Sequence, residues 1–111
     1  MRLISQPDAR LYASCVSAWE MAIKHQKYPD TFLCDAQKLI QCSREMGFEL
    51  LPISEHHIIA YSTVIRHGEN PIHKDPFDRM LIAQAKAENM QLITHDEKLP
   101  FYREKCVLYF E

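Results

Sequence analysis

Short apolar runs alternate along the chain with segments in which apolar residues recur at helical spacing. Strands are predicted at the apolar runs of residues 11–15, 48–53, 91–94 and 106–110. Amphipathic helices are predicted from Ser17, Thr31, Ser54 and Asp75, with a short helix over residues 96–102. Because apolar strands that alternate with helices are typical of a parallel sheet covered on both faces, the pattern predicts an α/β fold with a parallel sheet.

The helical stripes indicate which side chains face the core. Trp19 shares its helix face with Ala22 and Ile23, which favours a core position over a base-stacking one. The third helix is expected to bury Ile58 and Tyr61. The polar residues 66–74 that follow it contain glycine, asparagine and proline, and they predict a mobile loop.

The 111 residues predict one domain, residues 1–111, with room for a single core. The net charge of −2 excludes a chain held on nucleic acid by charge alone, so any RNA contact must be local. With 47% apolar residues the chain is expected to pack as a soluble globule, and its apolar runs are too short to cross a membrane. The N-terminal segment carries no apolar signal sequence, which favours the cytoplasm.

The cysteines and histidines do not predict a metal site. The four cysteines form no C-x-x-C pair, and we interpret them as reduced core thiols. No H-E-x-x-H motif occurs, and on a helix His56 and His57 would point about 100° apart. The carboxylates are therefore the candidate functional side chains.

Three carboxylates stand close to predicted strands, beyond whose carboxyl ends ligands collect in open parallel sheets. Glu20 lies in the first turn of the helix after the first strand, and Asp96 is the second residue after the strand at residues 91–94. Asp78 lies in the first turn of the helix that precedes that strand. The sequence alone does not require Asp78 to reach the same edge of the sheet.

Each carboxylate also has a structural interpretation. Ser17 and Glu20 have the spacing of a capping box, and Glu20 can pair with Lys24 one turn later. Asp75 and Asp78 repeat the capping-box spacing. Taken singly, each acid is explained equally well or better as part of a helix start.

Asp96 has a similar alternative, since it follows Thr94 and adds a negative charge at a predicted helix N-terminus. Convergence of the three acids would instead indicate a metal site, because carboxylates that converge repel one another unless a divalent cation lies between them. Oxygen ligands suit Mg²⁺ or Mn²⁺, which can activate a water for attack on phosphorus. Convergence would therefore predict hydrolysis of a phosphodiester.

Four segments carry a family resemblance: S-C-V-S-A-W-E-M-A-I-K from residue 14, G-F-E-L-L-P-I from residue 47, D-P-F-D-R-M-L-I-A-Q-A from residue 75 and L-I-T-H-D from residue 92. Together they resemble a PIN-domain protein of the VapC toxin type. The resemblance implies a three-layer α/β/α fold with a parallel sheet, and a ribonuclease that uses Mg²⁺ or Mn²⁺. By position it implies a catalytic metal site of Glu20, Asp78 and Asp96, supported by Ser17, Thr94 and Asp75.

The chain also departs from this family. PIN domains normally begin with a central strand that ends in an aspartate and is followed by two helices, whereas the S-x-W-E segment starts here at Ser17. We therefore expect an N-terminally truncated PIN domain without its central first strand. Asp8 lies in a polar, turn-like stretch and is not a substitute for the missing aspartate. Loss of one ligand should lower metal affinity or activity by at least about 10- to 100-fold.

The missing strand would lie between the strands at residues 11–15 and 91–94, leaving both with an unpaired backbone edge. We expect a homodimer or an exchanged segment to cover these edges. Residues 2–5 are too few for a parallel crossover back to Leu11, so they would make a poor substitute strand.

The resemblance leaves two functions open. The first is a VapC-like ribonuclease of impaired or lost activity that pairs with a small antitoxin. The second is a catalytically inactive protein that binds an antitoxin or another toxin subunit. Basic side chains usually mark a solvated helix face, but four residues are candidate RNA contacts: Lys24, Arg79, His95 and Lys98. For Arg79 we expect an ion pair with Asp75 or Asp78.

Overall fold

The computed structural model describes residues 3–5, 10–64, 75–94 and 99–109, apart from the side chains of residues 3 and 101. Its strands are β1 Leu3–Ser5, β2 Leu11–Ser14, β3 Glu49–Leu51, β4 Gln91–Thr94 and β5 Val107–Tyr109. Its helices are α1 Cys15–Lys27, α2 Ala36–Glu45, α3 Glu55–Tyr61 and α4 Pro76–Ala87, with a 3₁₀ turn at Leu99–Tyr102. The predicted loop at residues 66–74 lies outside the described residues, as do Asp8, His95, Asp96 and Lys98.

The strands form one sheet in the order β3-β2-β1-β4-β5. β2 pairs with β3 and β4 pairs with β5 in parallel, whereas β1 is antiparallel to both β2 and β4. β2, β3, β4 and β5 therefore point the same way, and their carboxyl ends lie at one side of the sheet, which we call the carboxyl edge. The predicted α/β fold is confirmed, but the sheet is mixed because its central strand runs against the others.

The centre of the sheet is formed by β1, whose residues were expected to make only a poor substitute strand. Ile4 pairs with Tyr12 on one side and with Leu92 on the other, so β1 covers both edges that we expected to be open. We expected residues 2–5 to be too few for a parallel crossover back to Leu11. This expectation does not apply, because β1 is antiparallel to β2 and an antiparallel neighbour needs no crossover connection. The open edges therefore give no reason to require a homodimer or an exchanged segment.

One face of the sheet carries the core. A row of cross-strand neighbours, which share a face, runs over four strands: Tyr12, Ile4, Leu92 and Val107. Leu81 and Ile82 of α4 are fully buried in the same cluster. Because burial of a side chain of this size contributes about 1.5–3 kcal/mol, α4 and the central strands stabilise each other.

Helix α4 begins as predicted. The Oδ1 atom of Asp75 accepts the N–H of Phe77 at 2.9 Å and that of Asp78 at 3.3 Å. Pro76 occupies the first helical position, where its missing N–H costs nothing. The consecutive buried residues 81–85 explain why this helix is apolar on nearly every side.

Helix α1 begins three residues earlier than predicted. Its N-cap is Ser14, whose Oγ accepts the N–H of Val16 at 3.0 Å. Ser17 and Glu20 therefore lie inside the helix, and their interpretation as a capping box was wrong. Glu20 does pair with Lys24 at 3.1 Å, as the spacing of these two residues predicted.

Two apolar side chains predicted for the core are exposed. Trp19 is 53% exposed and Ile58 is 59% exposed, whereas the buried residue of α3 is His57. Helix α2 begins four residues later than predicted, because its N-cap is Asp35 and not Thr31. In α1 and α3 the apolar pattern predicted the helix correctly but did not predict which side chains are buried.

The cysteines are free thiols, as predicted, but they are not core residues. Cys42 is exposed, and the other three are partly buried. Burial raises the pKa of the Cys106 thiol to about 11, because a thiolate would lose its hydration there. The Cys106 thiol is therefore protonated at neutral pH and is a poor metal ligand. No helix within the described ranges combines the length and the apolar character of a membrane span.

Replacing Ile4 by alanine should lower the free energy of unfolding by about 2–5 kcal/mol, because Ile4 is fully buried at the centre of the sheet. Denaturant unfolding followed by circular dichroism measures this change. Leu33→Ala is the matched control: Leu33 is 78% exposed, and its loss should change stability by less than about 0.5 kcal/mol. Equal effects of the two substitutions would contradict a central position for β1.

The two helix starts give a second comparison. Asp75→Ala should cost about 0.5–2 kcal/mol of stability, because it removes the acceptor that caps α4. Ser17→Ala should change stability by no more than about 0.5 kcal/mol, since Ser17 lies inside α1 and does not cap it. Thermal unfolding of both variants tests this order, and a larger cost for Ser17→Ala would contradict the cap at Ser14.

Candidate functional site

Glu20 is positioned by the turn from β2 into α1. Ser14 ends β2 at the carboxyl edge and caps α1, so that Glu20 falls in the second turn of the helix. The Glu20 side chain is 17% exposed, and its carboxylate lies 3.1 Å from the ammonium of Lys24. The first predicted ligand is therefore a largely buried carboxylate with a cation beside it.

Asp78 is one of the most buried polar residues of the described chain, with 1% of its surface exposed. It lies in line with Leu81, Ile82 and Ala85 at helical spacing, and these three residues form the buried stripe of α4. Asp75 already caps this helix, so capping does not explain why a carboxylate is buried at position 78. Buried charges usually have a dedicated partner or bind a metal.

A ring contact brings the two acid-bearing segments together. The rings of Trp19 and Phe77 meet edge to face, with their centroids 4.7 Å apart. Glu20 follows Trp19 in α1, and Asp78 follows Phe77 in α4. The first turn of α4 thus reaches the part of α1 that carries Glu20, which the sequence alone did not require. This contact also explains why Trp19 is only half buried, because its partner is another helix and not the core.

The third predicted ligand, Asp96, lies outside the described residues. Thr94, the last residue of β4, is buried and shares the sheet face of Leu92, which is the core face that α4 covers. Within the described ranges, no group of three or more histidine, cysteine or acidic side chains could hold a metal ion. A cluster of Glu20, Asp78 and Asp96 therefore stays a prediction.

The described donors match the preferences of a hard divalent cation. Two carboxylates, Glu20 and Asp78, are carried by adjoining segments of α1 and α4. Mg²⁺ is commonly bound by one or two carboxylates and completes its shell with waters or substrate phosphates. The donor set thus fits Mg²⁺ or Mn²⁺ better than a softer metal.

The central strand adds no carboxylate to this set. Its residues Leu3–Ser5 contain no acidic side chain. Because β1 is antiparallel to its neighbours, its carboxyl end at Ser5 pairs with Leu11 and Gln91, on the side opposite the carboxyl edge. An acid at the end of β1 would therefore lie away from Glu20.

The described basic candidates are engaged within the chain. Lys24 pairs with Glu20, and its ammonium also lies 5.5 Å from the centroid of the Phe32 ring. The Arg79 guanidinium lies 5.3 Å from the centroid of the Tyr61 ring, instead of forming the ion pair that we expected with an acid of its own motif. Either side chain would have to leave an aromatic ring, at a modest cost, to contact RNA.

Sequence reasoning missed a set of buried polar residues next to this site. Ser14, His57 and Gln84 are each at most 2% exposed, and they are joined by hydrogen bonds. The available signal was Gln84 itself, an amide inside the apolar run of α4. An open cavity of about 690 Å³ lies instead at the opposite side of the sheet, where Gln91 and Cys106 line it.

A family comparison agrees with this fold. The PIN domain matches residues 1–105, which include every described element up to the 3₁₀ turn. No curated protein and no solved structure is significantly similar to the chain. PIN domains are generally nucleases that depend on a divalent metal, in keeping with the two oxygen donors described above. The match covers nearly the whole chain, which therefore belongs to the PIN-domain family.

Proposed function

We propose that this chain is a VapC-like PIN protein whose metal-dependent cleavage of RNA is weak or lost. The observation that carries this proposal is the direction of the central strand, which contributes no carboxylate at the carboxyl edge. The resemblance to the VapC type implies that an active member has an aspartate there. The remaining acids keep part of the site but not all of it.

In this proposal Glu20 and Asp78 hold the cation, with Asp96 as a third ligand from the segment after β4. A bound Mg²⁺ or Mn²⁺ would neutralise phosphate charge and lower the pKa of a bound water. The burial of Asp78 keeps its carboxylate in one orientation, and Lys24 balances the charge of Glu20. Asp75 supports the arrangement by capping the helix that carries Asp78.

The expected loss of metal affinity or activity follows from the number of ligands. Loss of an outer-shell partner of a metal typically costs about 10- to 100-fold in affinity or activity, and loss of a direct ligand should cost at least as much. RNA would be held by local contacts, because the net charge of −2 gives no general attraction. Lys24, Arg79, His95 and Lys98 are the proposed contacts.

A second candidate is a catalytically inactive interaction protein, which binds a small antitoxin or another toxin subunit. The observation that favours it is the exposed apolar surface of α3, where Ile58 and Ile59 are 59% and 68% exposed. Neighbouring exposed apolar side chains of this size are typical of a surface that binds another protein. A homodimer through this surface is a variant of the same proposal.

Asp78→Asn and Glu20→Gln should each lower Mn²⁺-dependent cleavage of a fluorescent RNA by at least about tenfold, because each removes a charged oxygen ligand. Initial cleavage rates with Mn²⁺ and with a chelator measure the effect. Asp35→Asn is the matched control, since Asp35 caps helix α2, which carries none of the proposed ligands, and asparagine caps equally well. Its rate should equal that of the unaltered protein.

Three outcomes decide between the candidates. Slow, Mn²⁺-dependent cleavage that disappears in Asp78→Asn supports an impaired ribonuclease. Cleavage that survives in Asp78→Asn and Glu20→Gln contradicts this site. Absence of both cleavage and Mn²⁺ binding at millimolar Mn²⁺ favours the interaction protein.

A further inference from the structure

A chain of buried hydrogen bonds joins α1, α3 and α4 beside the candidate site. The Ser14 hydroxyl donates to Oε1 of Gln84. The Nε2 atom of Gln84 donates to the carbonyl oxygen of Pro52 at 3.3 Å and to Nδ1 of His57 at 3.3 Å. The Ser54 N–H also donates to Nδ1 of His57, at 3.0 Å. Each polar group of the Gln84 amide thus has a partner from a different segment of the chain.

The polarity of this chain of bonds is fixed at every link. Because Nδ1 of His57 accepts the N–H of Ser54, the imidazole proton lies on Nε2, which donates to Oε1 of Glu88 at 2.8 Å. The amide of Gln84 can satisfy both Ser14 and His57 in only one orientation. A satisfied buried network of this kind fixes one arrangement of the elements that it joins.

The location of Gln84 links this network to the acids. Gln84 and Phe77 are seven residues apart in α4, so they face the same side of the helix. Both contact α1: Gln84 through Ser14 at the start of that helix, and Phe77 through Trp19 next to Glu20. α1 is thus attached to α4 at two points, one polar and one aromatic.

We propose that Ser14, Gln84 and His57 are positioning residues, which set how α1 lies against α4 and thereby how close Glu20 comes to Asp78. This inference rests on the proposed function only where it concerns the metal. Apolar contacts alone would allow the two helices to shift, because dispersion and burial are non-directional. The directional bonds of Gln84 instead hold the end of β2 and the start of α3 to one residue of α4.

The single tryptophan of the chain makes this proposal testable without a metal. Trp19 contacts Phe77 beside both acids, so its fluorescence and near-ultraviolet circular dichroism report the position of α1 against α4. Ser14→Ala should shift the Trp19 emission to longer wavelength and weaken its dichroic band, with the far-ultraviolet spectrum retained. Ser43→Ala is the matched control, because Ser43 is equally buried and donates to the Leu39 carbonyl oxygen at 2.8 Å in a helix outside the network.

A pair of substitutions at His57 provides a second test if Ser14→Ala does not fold. Asparagine places an oxygen acceptor near the position of Nδ1, so His57→Asn should keep the Trp19 signal close to that of the unaltered protein. His57→Leu removes this acceptor and should change the signal as Ser14→Ala does. The proposal is overturned if Ser14→Ala and Ser43→Ala have the same effect on Trp19, or if His57→Asn and His57→Leu do.

Mn²⁺ titration tests the consequence for the acids. Ser14→Ala should bind Mn²⁺ about 10- to 100-fold more weakly than the unaltered protein at a temperature where both are folded, whereas Ser43→Ala should bind it equally well. Unchanged affinity in Ser14→Ala would overturn the link between the network and the site. If the unaltered protein binds no Mn²⁺, the proposed nuclease function fails, while the Trp19 signal still decides whether the network positions α1.

Discussion

The antiparallel pairing of β1 with both β2 and β4 is the constraint on which the rest of the structure depends. Without it, two rows of backbone N–H and C=O groups would stay unpaired at the centre of the sheet, and each buried unpaired group costs about 1–3 kcal/mol. With it, the row of core residues through Ile4 is continuous, and α4 has an apolar surface on which to pack. The packing of α4 in turn determines where Asp78 lies. The same strand direction places the carboxyl end of β1 on the side of the sheet opposite the carboxyl edge.

The sequence predicted those elements whose signals are local. Helix α4 was recognisable from Asp75 and Pro76 at its start and from the apolar residues that follow them. Strand β1 was not, because three residues contain too little periodicity to identify a strand and because a hydrophobic pattern carries no information on strand direction. The start of α1 was misplaced for a related reason: Ser14 and Ser17 are both plausible caps, and only the fold decides between them.

Predictions about side-chain partners failed where the partner lies far away in the sequence. Trp19 has an apolar stripe that suggests a core position, but its ring meets Phe77 of a helix that begins about sixty residues later. That contact also brings Glu20 and Asp78 onto adjoining segments, which is why spacing could suggest these acids but could not require them to meet. Nor did the sequence reveal the role of Gln84, since an amide in an apolar helix becomes informative only when Ser14 and His57 are seen beside it. Family membership was thus accessible from motifs, whereas the arrangement of the acids depends on tertiary structure.

The direction of β1 can be measured by nuclear Overhauser contacts in isotope-labelled protein. Antiparallel strands bring Hα atoms of opposite residues close together in their non-hydrogen-bonded pairs, and parallel strands do not. We expect short Hα–Hα contacts from β1 to both β2 and β4, in a register that places Ile4 opposite Tyr12 and Leu92. Absence of these contacts, or a pattern that places β1 parallel to either neighbour, would contradict the central claim. A β1 parallel to its neighbours would also place its carboxyl end on the side of the sheet where Glu20 lies.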